Sequence, residues 1–331
     1  MCRPYFLLLL LFCSSAQAGE EKKEAEEVAP EEAVVSEPDR EEQMSKLIEK
    51  NLRSGESIWL GNVDDAFLAL YKKDSSKKTQ GGILILHDLG ANANWPQLIN
   101  PLRLGLAKKG WHTLSVQLPM VDPEVEKEAY LTHFDEAVVR VGAGIEQLKQ
   151  KDVNNIVIIG HGMGAAVGTF YLSQTPKAPV AALVTISLVG QDVLKPKRQR
   201  EPAEELSSPD PDAEKTEEKK TEEGGEKLTA EPETASTTSV DEVPLPDRDL
   251  FSEMMKIKVP FLDTYAQQDH QDVLREAERR IEIMQQSENL NYSQWEVEGA
   301  GHYFRGHDAR LIKRLRGWLK NHAEGEGIVA P

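Results

Sequence analysis

The segment Ile156-Val157-Ile158-Ile159-Gly160-His161-Gly162-Met163-Gly164-Ala165 constrains the fold more than any other stretch of this 331-residue chain. Four consecutive β-branched residues suit a strand buried on both faces, and three alternate glycines permit a tight turn. Met163 to Ser173 then reads as a helix. A strand covered on both faces belongs to a parallel sheet flanked by helices. The rest of the chain repeats the alternation. Short leading strands are expected at 58–60 and 67–71, and a continuous apolar strand at 82–87. A helix over 95–109 should be broken by Pro101, and a strand over 111–118 is stopped by Pro119. A helix at 135–151 and strands at 155–159 and 180–188 follow. Beyond them come a strand at 259–265, a helix at 273–286, a strand at 294–297 and a closing helix at 309–321. This pattern predicts an α/β fold, a mostly parallel sheet with helices on both faces.

The formal net charge of −17 is concentrated in two places. Residues 20–42 hold eleven acidic residues against three basic ones, and residues 201–242 hold fifteen against four. Together these tracts carry more than the whole net charge, so the remainder is close to neutral. Neither tract has sustained apolar periodicity, and chain entropy should keep both disordered. The expected organisation is a leader over 1–18, an acidic segment over 19–42, and a domain in two parts, 43–194 and 248–322. An acidic insertion over 195–247 interrupts the domain, and 323–331 is a flexible tail. The shortage of basic charge argues against a nucleic-acid partner.

The first eighteen residues read as an export signal. Arg3 supplies the positive start, 5–12 is an apolar run, and Ala16-Gln17-Ala18 is a cleavage motif. The run is too short to span a bilayer, which takes roughly 20 residues. The expectation is an exported, periplasmic protein with no transmembrane segment after cleavage. Both cysteines, Cys2 and Cys13, lie in the leader, so neither a cysteine nucleophile nor a structural disulfide is expected after its removal.

The strand–turn–helix at 156–165 looks like the nucleophile elbow G-x-S-x-G of α/β-hydrolases, with Gly160 and Gly164 matching. The serine position is Gly162, so the hydroxyl nucleophile is missing, and His161 and Met163 fill the variable positions. Asp269 and His302 stand in the chain order of the acid and the base, so a residual Asp–His dyad is expected, with Asp192 as an alternative acid. The turn His87-Asp88-Leu89-Gly90 occupies the place of an oxyanion-hole loop. Its backbone N–H groups at Asp88 and Leu89, with that of Met163, could bind an oxyanion; His87 and Asp88 could instead bond within the loop. A dinucleotide reading of Gly160, Gly162 and Ala165 fails, because the next strand ends without the required acid. No histidine pair has metal-ligand spacing, so neither a metal nor a cofactor is expected.

Several further segments carry a family resemblance. They are 81–88, Asn94-Trp95-Pro96, 110–119, the elbow 160–165, Gly301-His302 and Arg316-Gly317-Trp318-Leu319. On these the chain resembles the bacterial α/β-hydrolase-like proteins of the domain-of-unknown-function 3530 family, over most of 55–322 apart from the acidic insertion. The resemblance implies an α/β-hydrolase fold and export, and it supplies no substrate. Glycine at the elbow is also implied to be a property of that group.

Three functions compete. A catalytically silent hydrolase relative would bind a small anionic or acyl ligand, or a protein partner. An active enzyme would use Asp269 and His302 to activate water against an ester or thioester, without a serine nucleophile. An interaction protein would act through its acidic segments. A nucleophile relocated to Ser115 or Ser187 is disfavoured, since strand serines are usually structural. The insertion has no aromatic residue and cannot pack as a lid, which predicts an open pocket and favours the silent relative.

Overall fold

The computed structural model describes residues 40–63, 65–121, 127–195 and 247–323. The leader over 1–18, most of the acidic segment over 19–42, and nearly all of the insertion and tail lie outside the described residues. The chain order is α1 (Arg40–Asn51), β1 (Glu56–Leu60), β2 (Phe67–Lys72), β3 (Gly81–Leu86), α2 (Ile99–Ala107) and β4 (Trp111–Val116). Then come α3 (Lys127–Thr132), α4 (Phe134–Gln150), β5 (Ile156–His161), α5 (Met163–Gln174) and β6 (Val180–Ile186). A 3₁₀ turn at Gln191–Leu194 precedes the insertion. After it follow α6 (Leu250–Met255), β7 (Phe261–Gln268), α7 (Gln271–Gln286), β8 (Tyr292–Gly301) and α8 (Asp308–His322).

The eight strands form one sheet in the order β1-β2-β4-β3-β5-β6-β7-β8. The β1–β2 and β2–β4 pairs are antiparallel and every other pair is parallel. This is the expected α/β architecture. β3 and β5 are buried at every position because they are central and covered on both faces. Successive side chains point to opposite faces. Leu84, Leu86, Ile156 and Ile158 therefore enter one core with residues of α4 and α5, while Ile83, Ile85, Val157 and Ile159 enter a second with residues of α2 and α8. Each such aliphatic side chain contributes roughly 1.5–3 kcal/mol by burial. Among the described residues, no helix is long and apolar enough to cross a membrane.

Three local expectations need correction, and two short helices were not anticipated. Pro101 does not break a helix; α2 starts at Ile99, which places Pro101 in the first turn, where no intrahelical amide donor is required. Residues 96–98, before the helix, form a turn. The disorder expected up to residue 42 does not hold for its last three residues, because α1 begins at Arg40. Glu41 escapes the compositional argument by pairing with buried Arg140 at 2.5 Å and accepting from the Met120 amide. The short helices α3 and α6 carry too little periodicity to be read in advance. Finally, Ala323 is buried and its carbonyl accepts from Asn155 at 2.7 Å, so it belongs to the domain and not to the tail.

Candidate functional site at the strand ends

Parallel strands carry their C-terminal ends to one edge of the sheet, where ligand sites of α/β folds gather. Four of the segments that reach that edge carry the candidate residues: His87-Asp88 after β3, Gly162-Met163 after β5, Asp269-His270 after β7 and His302-Tyr303 after β8. The turn between β5 and α5 is as tight as the glycines imply. Gly164 packs so closely on the end of β3 that an added Cβ would collide with the backbone of Leu86 and His87. Gly162 has φ +54° and ψ −118°, a strained conformation in which glycine costs least.

His302 lies between two carboxylates. Its Nδ1–H donates to Asp269 Oδ1 at 2.6 Å, and its Nε2–H donates to Asp88 Oδ2 at 2.9 Å. Asp269 is held by Ser187 Oγ–H and by the amides of Ala266 and His270, both at 2.9 Å. His270 stacks on the His302 ring at 3.9 Å between centroids, and Tyr303 meets it edge-on at 4.8 Å. The sequence-expected pair Asp269 and His302 is thus in direct contact. Asp192 is elsewhere, bonded to exposed Arg275 at 3.1 Å. Ser115 donates to the Ala93 carbonyl, and Ser187 is the hydrogen-bond partner of Asp269. Both serines have structural work.

Asp88 is the unexpected member. A Cβ added to Gly162 would overlap the Asp88 carboxylate, so this carboxylate fills the space of an elbow side chain. Its Oδ1 accepts from the Met163 amide at 2.6 Å. The expectation of an open oxyanion hole at Asp88, Leu89 and Met163 is therefore corrected: the Met163 donor is taken, and Asp88 meets it as an acceptor. Leu89 packs, partly buried, against the core. His87 aims the loop. Its Nδ1–H donates to the Asp88 carbonyl at 2.8 Å, and its Nε2 accepts from the Leu118 amide at 2.9 Å and from Gln117 at 3.0 Å.

Electrostatics follow this geometry. Burial pushes the His302 imidazole down, but the hydrogen bonds and charges of Asp269 and Asp88 outweigh it and lift its pKa to about 9. Burial pushes Asp88 up, and the bond from His302, its neighbouring histidines and the Met163 amide pull it down to about 2. Asp269 is likewise held below the ordinary carboxylate range, by His302 and Ser187 against its burial. Burial depresses His161 and His87, each to about 4, which keeps both neutral.

Sequence reasoning missed His161, which looked like an ordinary occupant of a variable position. It is buried, and its ring lies 4.7 Å from that of His302. Its Nε2–H donates to the His302 carbonyl at 3.0 Å, and its Nδ1 has no hydrogen-bond partner. Adjacency to the elbow was the available signal.

The family model described as "Protein of unknown function (DUF3530)" matches residues 3–136 and 121–207, more than half of the chain. The chain belongs to this family. No curated relative matches it. Among solved structures it is similar to Est1E from Butyrivibrio proteoclasticus, at 14% identity and a TM-score of 0.55 over 81% of this chain and 99% of that one. It is also similar to the esterase Pf2001 from Pyrococcus furiosus, at 14% identity and a TM-score of 0.56 over 82% and 91%. Dienelactone hydrolase from Anabaena variabilis matches at 12% identity and 0.54 over 82% and 98%. At such identities the likeness is one of fold: the chain has an α/β-hydrolase-like fold.

Proposed function

We propose that this DUF3530 chain is a non-catalytic α/β-hydrolase-fold protein whose former nucleophile position serves as a binding centre. The observation that carries the reading is the Asp88 carboxylate. It lies in the space of the missing serine side chain and takes the Met163 amide that an oxyanion would need. An acyl group has no hydroxyl to attack it and no free Met163 donor to stabilise its tetrahedral intermediate. Water activation by an Asp269–His302 dyad is disfavoured by the same residue, because Nε2–H of His302 donates to Asp88 and leaves no free lone pair to take a proton from water. An anionic ligand is disfavoured too, since the site already holds two carboxylates. The leader motif at 1–18 supports a periplasmic setting, with small ligands or a protein partner as the occupants to look for. Cell fractionation with and without residues 1–18 tests the location.

The test of the binding reading is hydrolysis of short-chain p-nitrophenyl esters. The parent should turn over no faster than His302→Ala. Parent turnover that disappears in His302→Ala would overturn the reading.

A further inference from the structure

Three side chains from three different strand ends meet here: Asp88 after β3, His161 at the end of β5 and His302 after β8. Each offers one ligand atom, and these atoms lie within 4.8 Å of one another. We propose that Asp88, His161 and His302 form a binding site for a single divalent transition-metal ion of the zinc class. The inference rests on the reading of this site as a binding centre and names its ligand.

The donor set fits. Two imidazoles and one carboxylate are a combination that zinc and its neighbours accept, whereas magnesium and calcium prefer oxygen alone. Zinc–nitrogen and zinc–oxygen bonds of about 2.0–2.1 Å in a tetrahedron separate neighbouring donors by roughly 3.3 Å. The His302 Nε2 and Asp88 Oδ2 atoms, now 2.9 Å apart, need to part by only a few tenths of an ångström to reach that spacing, and the three donor atoms, all within 4.8 Å of one another, close on the ion from there.

The outer contacts are in place as well. Metal-bound histidines almost always donate their second N–H to a carboxylate or a backbone carbonyl, which fixes the tautomer. His302 does so through Nδ1 to Asp269, at 2.6 Å. His161 does so through Nε2 to the His302 carbonyl, at 3.0 Å. With Nε2 carrying its proton, Nδ1 of His161 is a buried lone pair with no partner, an arrangement that costs stability unless a donor or a cation engages it. Asp88 uses one bond per carboxylate oxygen and has lone pairs to spare. Asp269, by contrast, already accepts four hydrogen bonds, which argues against the alternative grouping of Asp269, His270 and His302. On binding, the ion replaces the proton on His302 Nε2, and that proton leaves to solvent. The remaining coordination position is left for water or a donor group from a ligand.

The experiment is a titration of the full chain, stripped with a chelator, with zinc followed by calorimetry and with cobalt(II) followed by its visible absorption. One ion per chain is expected, with the intense bands of a low-symmetry cobalt site. His161→Ala and Asp88→Asn should each weaken binding by at least about 100-fold, and Asp269→Asn, which acts only through His302, by about 10–100-fold. His133→Ala, an exposed histidine, should leave it unchanged. Circular dichroism of each variant separates lost binding from lost fold, and Asp88→Asn preserves the side-chain shape. No stoichiometric binding by the parent, or binding that survives both ligand substitutions in folded variants, overturns the metal site. Ester turnover measured in the chelated protein decides the first reading separately. A chain that neither binds metal nor hydrolyses esters keeps that reading and loses this one.

Discussion

Two buried carboxylates sit on the same sheet and do opposite things. Asp263, within β7, is fully buried and aims both oxygens at partners: Arg280 Nε at 2.8 Å, Gln294 at 2.9 Å, Tyr292 at 3.2 Å and Thr185 at 2.9 Å. Its charge is matched by a guanidinium that cannot lose its proton, and the network ties β6, β7, β8 and α7 together. Asp88 lies at the strand ends, where its partner is an imidazole whose proton is exchangeable, and beside it His161 Nδ1 has no partner at all. Fixed charge, with both carboxylate oxygens of Asp263 taken by partners, makes a joint. Exchangeable charge with a spare lone pair makes a site.

Breaking the joint should have the largest effect. Asp263→Ala leaves Arg280 buried and uncompensated, and urea unfolding should show a loss of about 3–5 kcal/mol. At the site, Gly162→Ser alone should cost about 2–4 kcal/mol, because the new side chain overlaps the Asp88 carboxylate and the backbone there disfavours a side chain. Relief comes from its partner. In Asp88→Gly/Gly162→Ser the overlap is gone, so the two changes should be non-additive by about 1–2 kcal/mol, and this double variant is the one expected to gain p-nitrophenyl ester hydrolysis. A gain in Gly162→Ser alone would contradict the placement of Asp88. Asp88→Asn should cost about 1–3 kcal/mol, less than Asp263→Ala, since the freed imidazole can shed its proton. Equal losses for Asp88→Asn and Asp263→Ala would erase the distinction between joint and site.

The smallest effect is a pH dependence far from both. His112 Nδ1 accepts from the Tyr71 hydroxyl at 2.7 Å and the Asp74 amide at 3.3 Å, and burial lowers its pKa. The unfolded chain therefore binds this proton before the folded one does. Stability should fall as pH drops below about 6.5, and His112→Phe should show a shallower decline between about pH 7 and pH 5.

Much of the architecture was legible because it rests on local periodicity. The runs at 82–87 and 155–159 match β3 and β5 within two residues, and the amphipathic stretches at 135–151 and 309–321 match α4 and α8. The pairing of Asp269 with His302 was legible from chain order and flanking strands. Asp88 was legible as a backbone donor or as a residue bonded within its own loop, and neither reading reached the elbow, because nothing in 87–90 indicates where a side chain will point. His161 was passed over because metal-ligand spacing is a local rule, while its potential partners lie 73 and 141 residues away along the chain.

The sequence by itself determined the alternation of strands and helices, the glycine turn after β5, the absence of a hydroxyl at Gly162 and the order of Asp269 and His302. Each of these is carried by a residue type or a short-range pattern. Only the tertiary structure decided that the empty elbow is filled from a neighbouring strand. Parallel register puts the ends of β3 and β5 side by side, and a glycine without a Cβ leaves room there for a carboxylate from Asp88. That outcome depends on two segments 74 residues apart meeting so closely that a Cβ on Gly162 would overlap Asp88, which no local pattern encodes.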